Sequence, residues 1–317
     1  MKIVTFTVAK GAERLGALTN EGIVDLAAVA RASGKGGLET LADVLAFLKG
    51  GAATRVQVLE LVAWARDRRD PTHLLAPDRI HLRAPVPRPP KILCLAGNYA
   101  EHWRESGHDA PPRANHTPEV FVKPVTTIVG PDAPIRLPGP ICLAVDYEGE
   151  LAVIIGRLAR NVAPERALDY VAGYANFNDV SGRRLTIDTP REPTARTSWF
   201  DWLNGKWFDT FGPLGPFLVI DEVQDPQALA IQTRVNGAVR QNATTADMIF
   251  SVAETIAWIS RFLTLEPGDL IATGTPSGVG SASGTFLREG DVVEVEVAGL
   301  GVLRNTVVAP ADTAIGS

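Results

Sequence analysis

The chain has 317 residues, of which 45% are hydrophobic and 21% charged, a balance typical of globular proteins and unlike that of disordered chains. Its 31 basic and 36 acidic residues give a formal net charge of −5, without a long basic run, so nothing indicates a nucleic-acid partner. The longest apolar stretches, such as residues 151–155, are too short to span a bilayer.

The sequence contains few features that indicate targeting or disulfide bonding. No apolar segment with a cleavage site precedes the first predicted strand, so the sequence predicts no signal peptide. Only two cysteines occur, Cys94 and Cys142, and we expect both to be buried thiols in a reducing compartment. We therefore interpret the protein as cytoplasmic, with no membrane segment.

Residues 1–75 predict a small α+β domain. Alternating apolar residues predict strands over 3–8, 14–18 and 22–26. Two helices follow, the first ending at Gly50-Gly51. The residues predicted to share one face are Leu38, Leu41, Val44, Leu45 and Leu48 in the first helix, and Val56, Leu59, Val62 and Ala63 in the second. The prolines at 85, 87, 89 and 90 then predict a linker over 76–90, because such a run suits neither a helix nor a central strand.

Beyond the linker, short apolar strands alternate with glycine and proline. Strands are predicted over 92–96, 151–155, 215–220, 233–236, 270–273 and 291–297, and one core-facing helix over 245–263. The helix stripe comprises Met248, Ile249, Val252, Ile256, Ile259 and Leu263. Because strands dominate, we favour a large mixed β domain over residues 91–310, with a tail at 311–317, rather than a doubly wound sheet.

The most informative segment is Asp146 to Gly156, which enters a predicted buried strand. On a strand, residues two apart point to the same face, so Glu148 and Glu150 should project side by side. Two ionised carboxylates this close need a cation between them, whereas two glutamates in solvent would need none. Asp179 ends another apolar stretch. It could be the third ligand of a hard divalent cation, or it could be only an Asx residue in a turn. Such a trio would suit Mg²⁺ first, with Mn²⁺ or Ca²⁺ as alternatives.

Two further segments contain candidate ligand-binding or catalytic residues. The glycine-rich run 273–280 lacks the Gly-Lys-Ser/Thr ending of a phosphate loop, and we interpret it as a turn whose amides and Thr275 hydroxyl face a ligand anion. Glu105 follows His102 by three residues, so on a short helix its carboxylate could orient the imidazole. A histidine with no role on the protein surface would fit the same sequence. There is no Gly-x-Ser-x-Gly motif, which disfavours a serine hydrolase.

Taken together in chain order, the motifs closely resemble the fumarylacetoacetate hydrolase family over about residues 90–308, and the first 75 residues are similar to the small N-terminal domain of many members. The motifs are Asn98-Tyr99 with His102 and Glu105, Phe121-x-Lys123, Asp146-Tyr147-Glu148-x-Glu150-Leu151, Asn178-Asp179, Lys206-x-Phe208-Asp209-Thr210-Phe211, Pro213-x-Gly215-Pro216, Val235-Asn236-Gly237 with Gln241, Gly268-Asp269 and Thr273-Gly274-Thr275-Pro276-x-Gly278-Val279.

The resemblance implies a fold and a set of site residues. It implies a mixed β-barrel-like or β-roll catalytic domain, assembled as a homodimer. Matching positions give metal ligands at Glu148, Glu150 and Asp179, catalytic residues His102, Glu105 and Lys206, and substrate-binding residues Arg183, Gln241 and Thr275, with Lys123 also matching. The chain departs from the family pattern at Gly182, Arg184 and Thr186, and its stretch 188–202, with Arg191, Arg196 and Trp199, is longer than in many members.

The reaction implied is the metal-dependent hydrolysis of a β-diketo acid, such as an acylpyruvate, fumarylpyruvate or fumarylacetoacetate-like compound. The metal would stabilise the enolate that leaves when the carbon–carbon bond breaks, and His102 would activate water. Lys206 and Thr275 would stabilise the developing oxyanion. The alternatives are an isomerase or decarboxylase of a 2-oxo or 2-hydroxydienoate (5-carboxymethyl-2-hydroxymuconate isomerase-like) and a non-catalytic binding protein on the same scaffold. The polar segment 105–117 is expected to act as a mobile lid over the small keto-acid substrate.

Overall fold

The computed structural model describes residues 1–35, 37–186 and 192–310. Its helices are α1 (Leu26–Ser33), α2 (Val44–Lys49), α3 (Gly51–Arg68), α4 (Ala100–Glu105), α5 (Ala195–Asn204), α6 (Val252–Ser260) and α7 (Gly280–Ser283). Its strands are β1 (Lys2–Thr7), β2 (Arg14–Thr19), β3 (Gly22–Asp25), β4 (Leu74–Leu75), β5 (His81–Leu82), β6 (Ile92–Ala96), β7 (Glu119–Val122), β8 (Ile128–Val129), β9 (Ile135–Arg136), β10 (Val145–Asp146), β11 (Gly149–Ile155), β12 (Val171–Asn178), β13 (Ser181–Gly182), β14 (Gly212–Val219), β15 (Ala230–Val235), β16 (Ala238–Thr244), β17 (Leu270–Ala272), β18 (Val292–Val297) and β19 (Val302–Val308).

These strands form three sheets within the described ranges. The largest has 12 strands in the order β4-β3-β2-β1-β14-β12-β11-β17-β6-β7, with β5 paired to β1 and β8 to β14. Five strands form the second sheet in the order β16-β15-β18-β19-β9, and β10 pairs with β13. The predicted α+β class with a mixed β architecture is confirmed, but none of the three described sheets closes into a barrel.

The N-terminal helices differ from the prediction. Asp25 accepts a hydrogen bond from the Ala28 amide and so caps α1, a helix that the sequence analysis missed by extending the third strand to Leu26. The next predicted helix is shorter than expected, because Asp43 caps α2 and Val44 is its first residue. Leu38 therefore lies outside it and is exposed.

The predicted face of α3 was wrong. Its buried residues are Thr54, Val58, Leu61 and Ala65, whereas Val56 and Leu59 are each 56% exposed. The buried set keeps the three- and four-residue spacing of a helix, so the period was right and the phase was not. Two periodic sets were available in this sequence, and tertiary packing selected the one that includes a threonine and an alanine.

The predicted long helix over 245–263 is also shortened. Ser251 and Glu254 form a capping box, in which each side chain accepts a hydrogen bond from the other's backbone amide, and this starts α6 at Val252. Met248 and Ile249 lie before the cap, yet Met248 is buried. The six predicted strands beyond the linker all form, with bounds shifted by a few residues at most.

The large sheet is continuous across the proline-rich segment. Lys2 and Ile3 of β1 pair with Val219 and Leu218 of β14, and the Thr5 hydroxyl donates to the Pro85 carbonyl oxygen. One apolar cluster includes both Val29 from the N-terminal helices and Leu214 from the later strands. The predicted boundary between the units 1–75 and 91–310 stays a prediction, and the two units share a sheet and a core. The tail 311–317 lies outside the described residues.

Two smaller expectations can be compared with the structure. Cys94 and Cys142 are both free and buried, as predicted. None of the helices in the described ranges is both long enough and apolar enough to cross a membrane.

Strand β11 runs through the centre of the large sheet and is buried along its whole length. Ala152 and Ile154 face one apolar cluster, whereas Leu151, Val153 and Ile155 face another. Because side chains alternate along a strand, Glu150 has the same orientation as Ala152. The strand thus carries a carboxylate into the protein interior at the end where the chain enters the sheet.

The corrected face of α3 gives a test of the N-terminal packing. Leu61→Ala should lower the free energy of unfolding by about 2–5 kcal/mol, because Leu61 is fully buried and truncation leaves a cavity. Leu59→Ala is the matched control on the same helix and should change it by less than about 0.5 kcal/mol. Urea unfolding of the two variants measures both values; equal losses would contradict the observed face.

Candidate active site

Three acidic side chains meet where β11 begins and β12 ends. The two strands are antiparallel, with Gly149 opposite Asn178, and the Asp179 amide donates to the Glu148 carbonyl oxygen at 2.8 Å. Each of Glu148, Glu150 and Asp179 offers a carboxylate oxygen, and these atoms lie within 4.8 Å of one another. All three residues are at most 5% exposed. The predicted trio is therefore brought together in the interior and not in solvent.

Two lysines neutralise part of this charge. The Lys206 ammonium donates to Oε2 of Glu148 at 2.8 Å and to Oδ2 of Asp179 at 2.7 Å, so it bridges two members of the trio. Lys123 donates to the other oxygen of Asp179 at 2.5 Å. Both lysines are buried. Buried charges are stable only when paired and hydrogen-bonded, and these pairs satisfy that requirement.

Arg183 adds a third cation. Its Nε donates to Oδ2 of Asp146 at 2.8 Å, and its Nη2 forms an ion pair with Oε1 of Glu148. Asp146 also accepts hydrogen bonds from the amides of Tyr147, Gly280 and Ser281. Asp146 therefore holds the guanidinium against the trio, a function that the sequence analysis did not assign although the residue lies in a quoted motif.

The carboxylates of the trio differ in their tendency to ionise. Burial raises the pKa of Glu148, but the charges of Arg183 and Lys206 outweigh it and bring the value down to about 2. Burial, reinforced by the charges of Asp179 and Glu148, holds the pKa of Glu150 well above its usual range. Burial lowers the pKa of Lys206, yet the charges of Asp179 and Glu148 raise it overall, so this lysine is a permanent cation.

Glu150 has one oxygen that supports a metal site. Its Oε2 accepts a hydrogen bond from the Gly274 amide at 2.8 Å, but its Oε1 is buried and has no hydrogen-bond partner among the described residues. A buried carboxylate oxygen without a partner is costly, and a hard divalent cation would satisfy it. The trio of oxygen ligands, without cysteine or histidine, fits Mg²⁺ or Mn²⁺.

The glycine-rich loop (residues 273–281) connects the parts of the site, in a way that differs from the prediction. Four of its amides donate to the protein's own carboxylates: Gly274 to Glu150, Gly278 to Glu105, and Gly280 and Ser281 to Asp146. Contact between Thr275 and a ligand anion stays a prediction. Gly278 has a φ of +105°, and a Cβ there would lie 2.0 Å from the Arg240 carbonyl oxygen. The loop thus positions carboxylates from three segments by backbone hydrogen bonds.

His102 and Glu105 form the predicted pair on α4. Nδ1 of His102 lies 2.6 Å from Oε1 of Glu105, whose Oε2 accepts the Gly278 amide at the same distance. Nε2 of His102 has no hydrogen-bond partner among the described residues, and the ring lines the cavity described below. Because His102 and Glu148 line the same cavity, the pair lies close to the trio.

A cavity of about 600 Å³ joins these groups. Its chemical lining includes His102, Glu148, Arg183, Lys206 and Thr275. Much of the remaining wall is aromatic, with Trp103, Phe121, Trp199 and Trp202. From the sequence, Trp199 was noted only as part of a longer stretch and Phe121 only within a motif, and Trp103 and Trp202 were missed. The density of aromatic residues in 199–208 was a signal for Trp202. Arg191 and residues 187–190 lie outside the described residues.

Gln241 lies behind the cavity wall. It is fully buried, its Oε1 accepts the Gly149 amide, and its Nε2 donates to the Thr275 hydroxyl and the Pro276 carbonyl oxygen. The Thr275 hydroxyl in turn donates to the Gly149 carbonyl oxygen at 3.0 Å. Thr275 reaches the cavity and Gln241 supports it from behind, so direct substrate contact by Gln241 stays a prediction.

The segment 105–117 covers one side of the cavity. His116 packs against both Trp103 and Phe250, and Arg113 forms an ion pair with Glu254 of α6. Few residues of this segment are buried. Its proposed movement as a lid stays a prediction.

Comparisons with known proteins agree with this geometry. The model of the C-terminal domain of fumarylacetoacetate hydrolase matches residues 91–308. A mitochondrial oxaloacetate tautomerase from Xenopus laevis is 43% identical over 239 residues, which cover 74% of this chain and 71% of that protein.

Two solved structures are similar over nearly the whole chain. A 5-carboxymethyl-2-hydroxymuconate delta-isomerase from Mycobacterium smegmatis has 30% identity and a TM-score of 0.68, covering 98% of this chain and 100% of that one. A maleylpyruvate hydrolase from Sphingobium sp. SYK-6, in complex with manganese(II) and pyruvate, has 28% identity and a TM-score of 0.72 with the same coverage. The similar proteins thus carry the names of three different reactions.

Glu150→Gln tests the metal site. Replacing this buried carboxylate removes a charged ligand, so the Kd for Mn²⁺ measured by isothermal titration calorimetry should rise at least roughly tenfold. Glu289→Gln, an exposed substitution of the same charge, should leave the Kd unchanged. Equal Mn²⁺ affinity in the two variants would show that Glu150 is not a ligand.

Proposed function

The chain belongs to the fumarylacetoacetate hydrolase family, and we propose that it is a divalent-metal-dependent hydrolase that cleaves a carbon–carbon bond of a β-diketo acid. The observation that carries the proposal is the His102–Glu105 pair: His102 lines the same cavity as Glu148, and no described residue is hydrogen-bonded to its Nε2. A histidine held by a carboxylate through Nδ1 can take a proton at Nε2, which suits a general base for water.

Glu148, Glu150 and Asp179 would hold the metal, which we propose to be Mg²⁺, with Mn²⁺ as an alternative. The Mn²⁺ in the Sphingobium hydrolase supports a divalent ion in this scaffold, as does the unpartnered oxygen of Glu150. When bound, the ion would supply electrophilic assistance to the carboxylate and keto oxygens of a 2-oxo acid.

Residues of the protein carry out the proton transfers in this proposal. His102 removes a proton from water, which adds to the acyl carbonyl carbon of the substrate. Glu105 stabilises the imidazolium that forms, and the Gly278 amide keeps Glu105 in place. The bond between the acyl carbon and the neighbouring methylene then breaks, and the methylene carbon takes the proton held by the His102 imidazolium, which restores the neutral base. The products are a carboxylic acid and a 2-oxo acid.

Lys206 and Arg183 supply positive charge at the cavity wall. Both are permanent cations held in place by buried carboxylates, and therefore need no reorganisation as negative charge develops on the substrate. A preorganised charge in a poorly solvated site is more effective than the same charge in water. We assign Lys206 to the developing oxyanion and Arg183 to the substrate carboxylate.

Keto–enol tautomerisation of oxaloacetate is the second candidate. It is favoured by the 43% identity to the Xenopus tautomerase. The same histidine could move a proton between carbon and oxygen without adding water. The two candidates therefore differ in whether water adds to a carbonyl carbon, and they can be separated by product analysis.

Two further proposals concern the oligomeric state of the protein and its location in the cell. We propose a homodimer in the cytoplasm, although the Xenopus relative is mitochondrial. Sedimentation at the mass of the 33.9 kDa monomer would contradict the dimer.

His102→Gln tests the proposed base. The rate of acylpyruvate hydrolysis with saturating Mg²⁺ or Mn²⁺ should fall by roughly 10²–10⁴-fold, the usual contribution of general base catalysis. The Kd for Mn²⁺ should stay within about twofold of wild type, because His102 is not among the acidic trio. His81→Gln, at an exposed position away from the cavity, is the control.

The outcomes separate the two candidates. Hydrolysis by wild type that is lost in His102→Gln supports the hydrolase. Hydrolysis that is unchanged in His102→Gln contradicts the role of this residue. If wild type hydrolyses no acylpyruvate but speeds the loss of enol absorbance of oxaloacetate, the tautomerase replaces the hydrolase.

A further inference from the structure

The aromatic wall (Trp103, Phe121, Trp199 and Trp202) occupies a large share of the cavity beside Lys206. Phe121 and Trp202 contact each other edge to face with ring centres 4.9 Å apart, and the Lys206 ammonium lies 5.2 Å and 5.6 Å from the two centres. The wall therefore begins directly next to the cation that we assign to the reacting oxygens. A group attached to the reacting carbon would meet these rings.

The wall is built from elements that are individually fixed. Thr194 and Thr197 form a capping box that starts α5 at Ala195. Trp199 and Trp202 are three residues apart on this helix and so share a face. On the other element, the Trp103 indole donates to the Gly97 carbonyl oxygen at 2.7 Å. These contacts give the cavity a preformed apolar surface.

Trp199 is the most exposed member of the wall, at 53%. A large aromatic side chain that lines a cavity and remains half exposed is typical of a surface that a ligand covers. The cavity volume of about 600 Å³ lies in the range of sites for ligands larger than a four-carbon acid. Both observations indicate a substrate with a sizeable apolar group.

The charges around the wall disfavour a second carboxylate on the substrate. The guanidinium and ammonium groups among the described lining residues, Arg183 and Lys206, are paired with buried carboxylates and are assigned above to the keto-acid end of the substrate. Glu119 and His108 also line the cavity. Within the described part of the cavity, a second carboxylate would thus share the space with Glu119 and have no further arginine or lysine to pair with.

We propose that the acyl group of the substrate is uncharged and aromatic or bulky apolar, and that Trp199 and Glu119 determine this specificity. The proposal rests on the hydrolase function given above. It predicts that aroylpyruvates are better substrates than acetylpyruvate, and that fumarylpyruvate, with its second carboxylate, is poorer than either.

The test compares kcat/KM for benzoylpyruvate, acetylpyruvate and fumarylpyruvate in wild type with Mn²⁺. Trp199→Leu should lower the value for benzoylpyruvate by about tenfold and that for acetylpyruvate by much less, because only the aromatic ring loses its contact. Phe262→Leu, an exposed aromatic residue away from the cavity, should leave both values unchanged. Glu119→Gln should raise the value for fumarylpyruvate by roughly threefold to tenfold and leave the benzoylpyruvate value nearly constant.

Each outcome decides the proposal. A wild-type preference for fumarylpyruvate, or equal effects of Trp199→Leu on benzoylpyruvate and acetylpyruvate, would overturn the specificity and leave the hydrolase function intact. Failure of wild type to hydrolyse any of the three compounds would overturn the hydrolase function, and this proposal with it.

Discussion

Three carboxylates, those of Glu148, Glu150 and Asp179, lie together in the protein interior, and their repulsion is the constraint on which the site depends. Two charges less than 5 Å apart repel by about 3–4 kcal/mol at an effective dielectric constant of 20. A few such pairs would cancel the entire stability of a domain. Lys123, Lys206 and Arg183 offset part of this repulsion through direct ion pairs, and burial together with the repulsion that remains raises the pKa of Glu150. A divalent cation on the trio would complete the compensation.

The glycine-rich loop transmits this constraint to the rest of the site. Its amides bind Glu150 of β11, Glu105 of α4 and Asp146 of β10, so one loop fixes the positions of a candidate metal ligand, the partner of the candidate base and the anchor of Arg183. Asn98 adds a second connection, because its side chain donates to the carbonyl oxygens of Thr273 and Phe250. Candidate catalytic groups from distant parts of the sequence are therefore connected to the central sheet by direct hydrogen bonds.

Sequence patterns predicted the acidic trio because the direction of side chains on a strand is a local property. Strand periodicity predicted that Glu148 and Glu150 share a face; Glu150 lies on β11 and Glu148 directly before it, and their carboxylates do meet. The His102–Glu105 spacing is that of a helix turn. The start of α6 was predictable, because Ser251 and Glu254 have the spacing of a capping box, a local signal that was overlooked. The phase of α3 was not predictable in the same way, because Val58 acquires its role from tertiary packing. The loop was misinterpreted for a related reason: its amides suit any anion, and only the tertiary fold shows that the anions are the protein's own carboxylates.

The central claim is that the buried acidic trio binds a catalytic divalent cation. The most direct measurement is the anomalous scattering of manganese in crystals of the protein grown with Mn²⁺. The account predicts one strong anomalous peak in contact with carboxylate oxygens of Glu148, Glu150 and Asp179, facing the cavity that His102 lines. Crystals in which no anomalous peak lies at the trio, at a Mn²⁺ concentration that supports full activity, would contradict it.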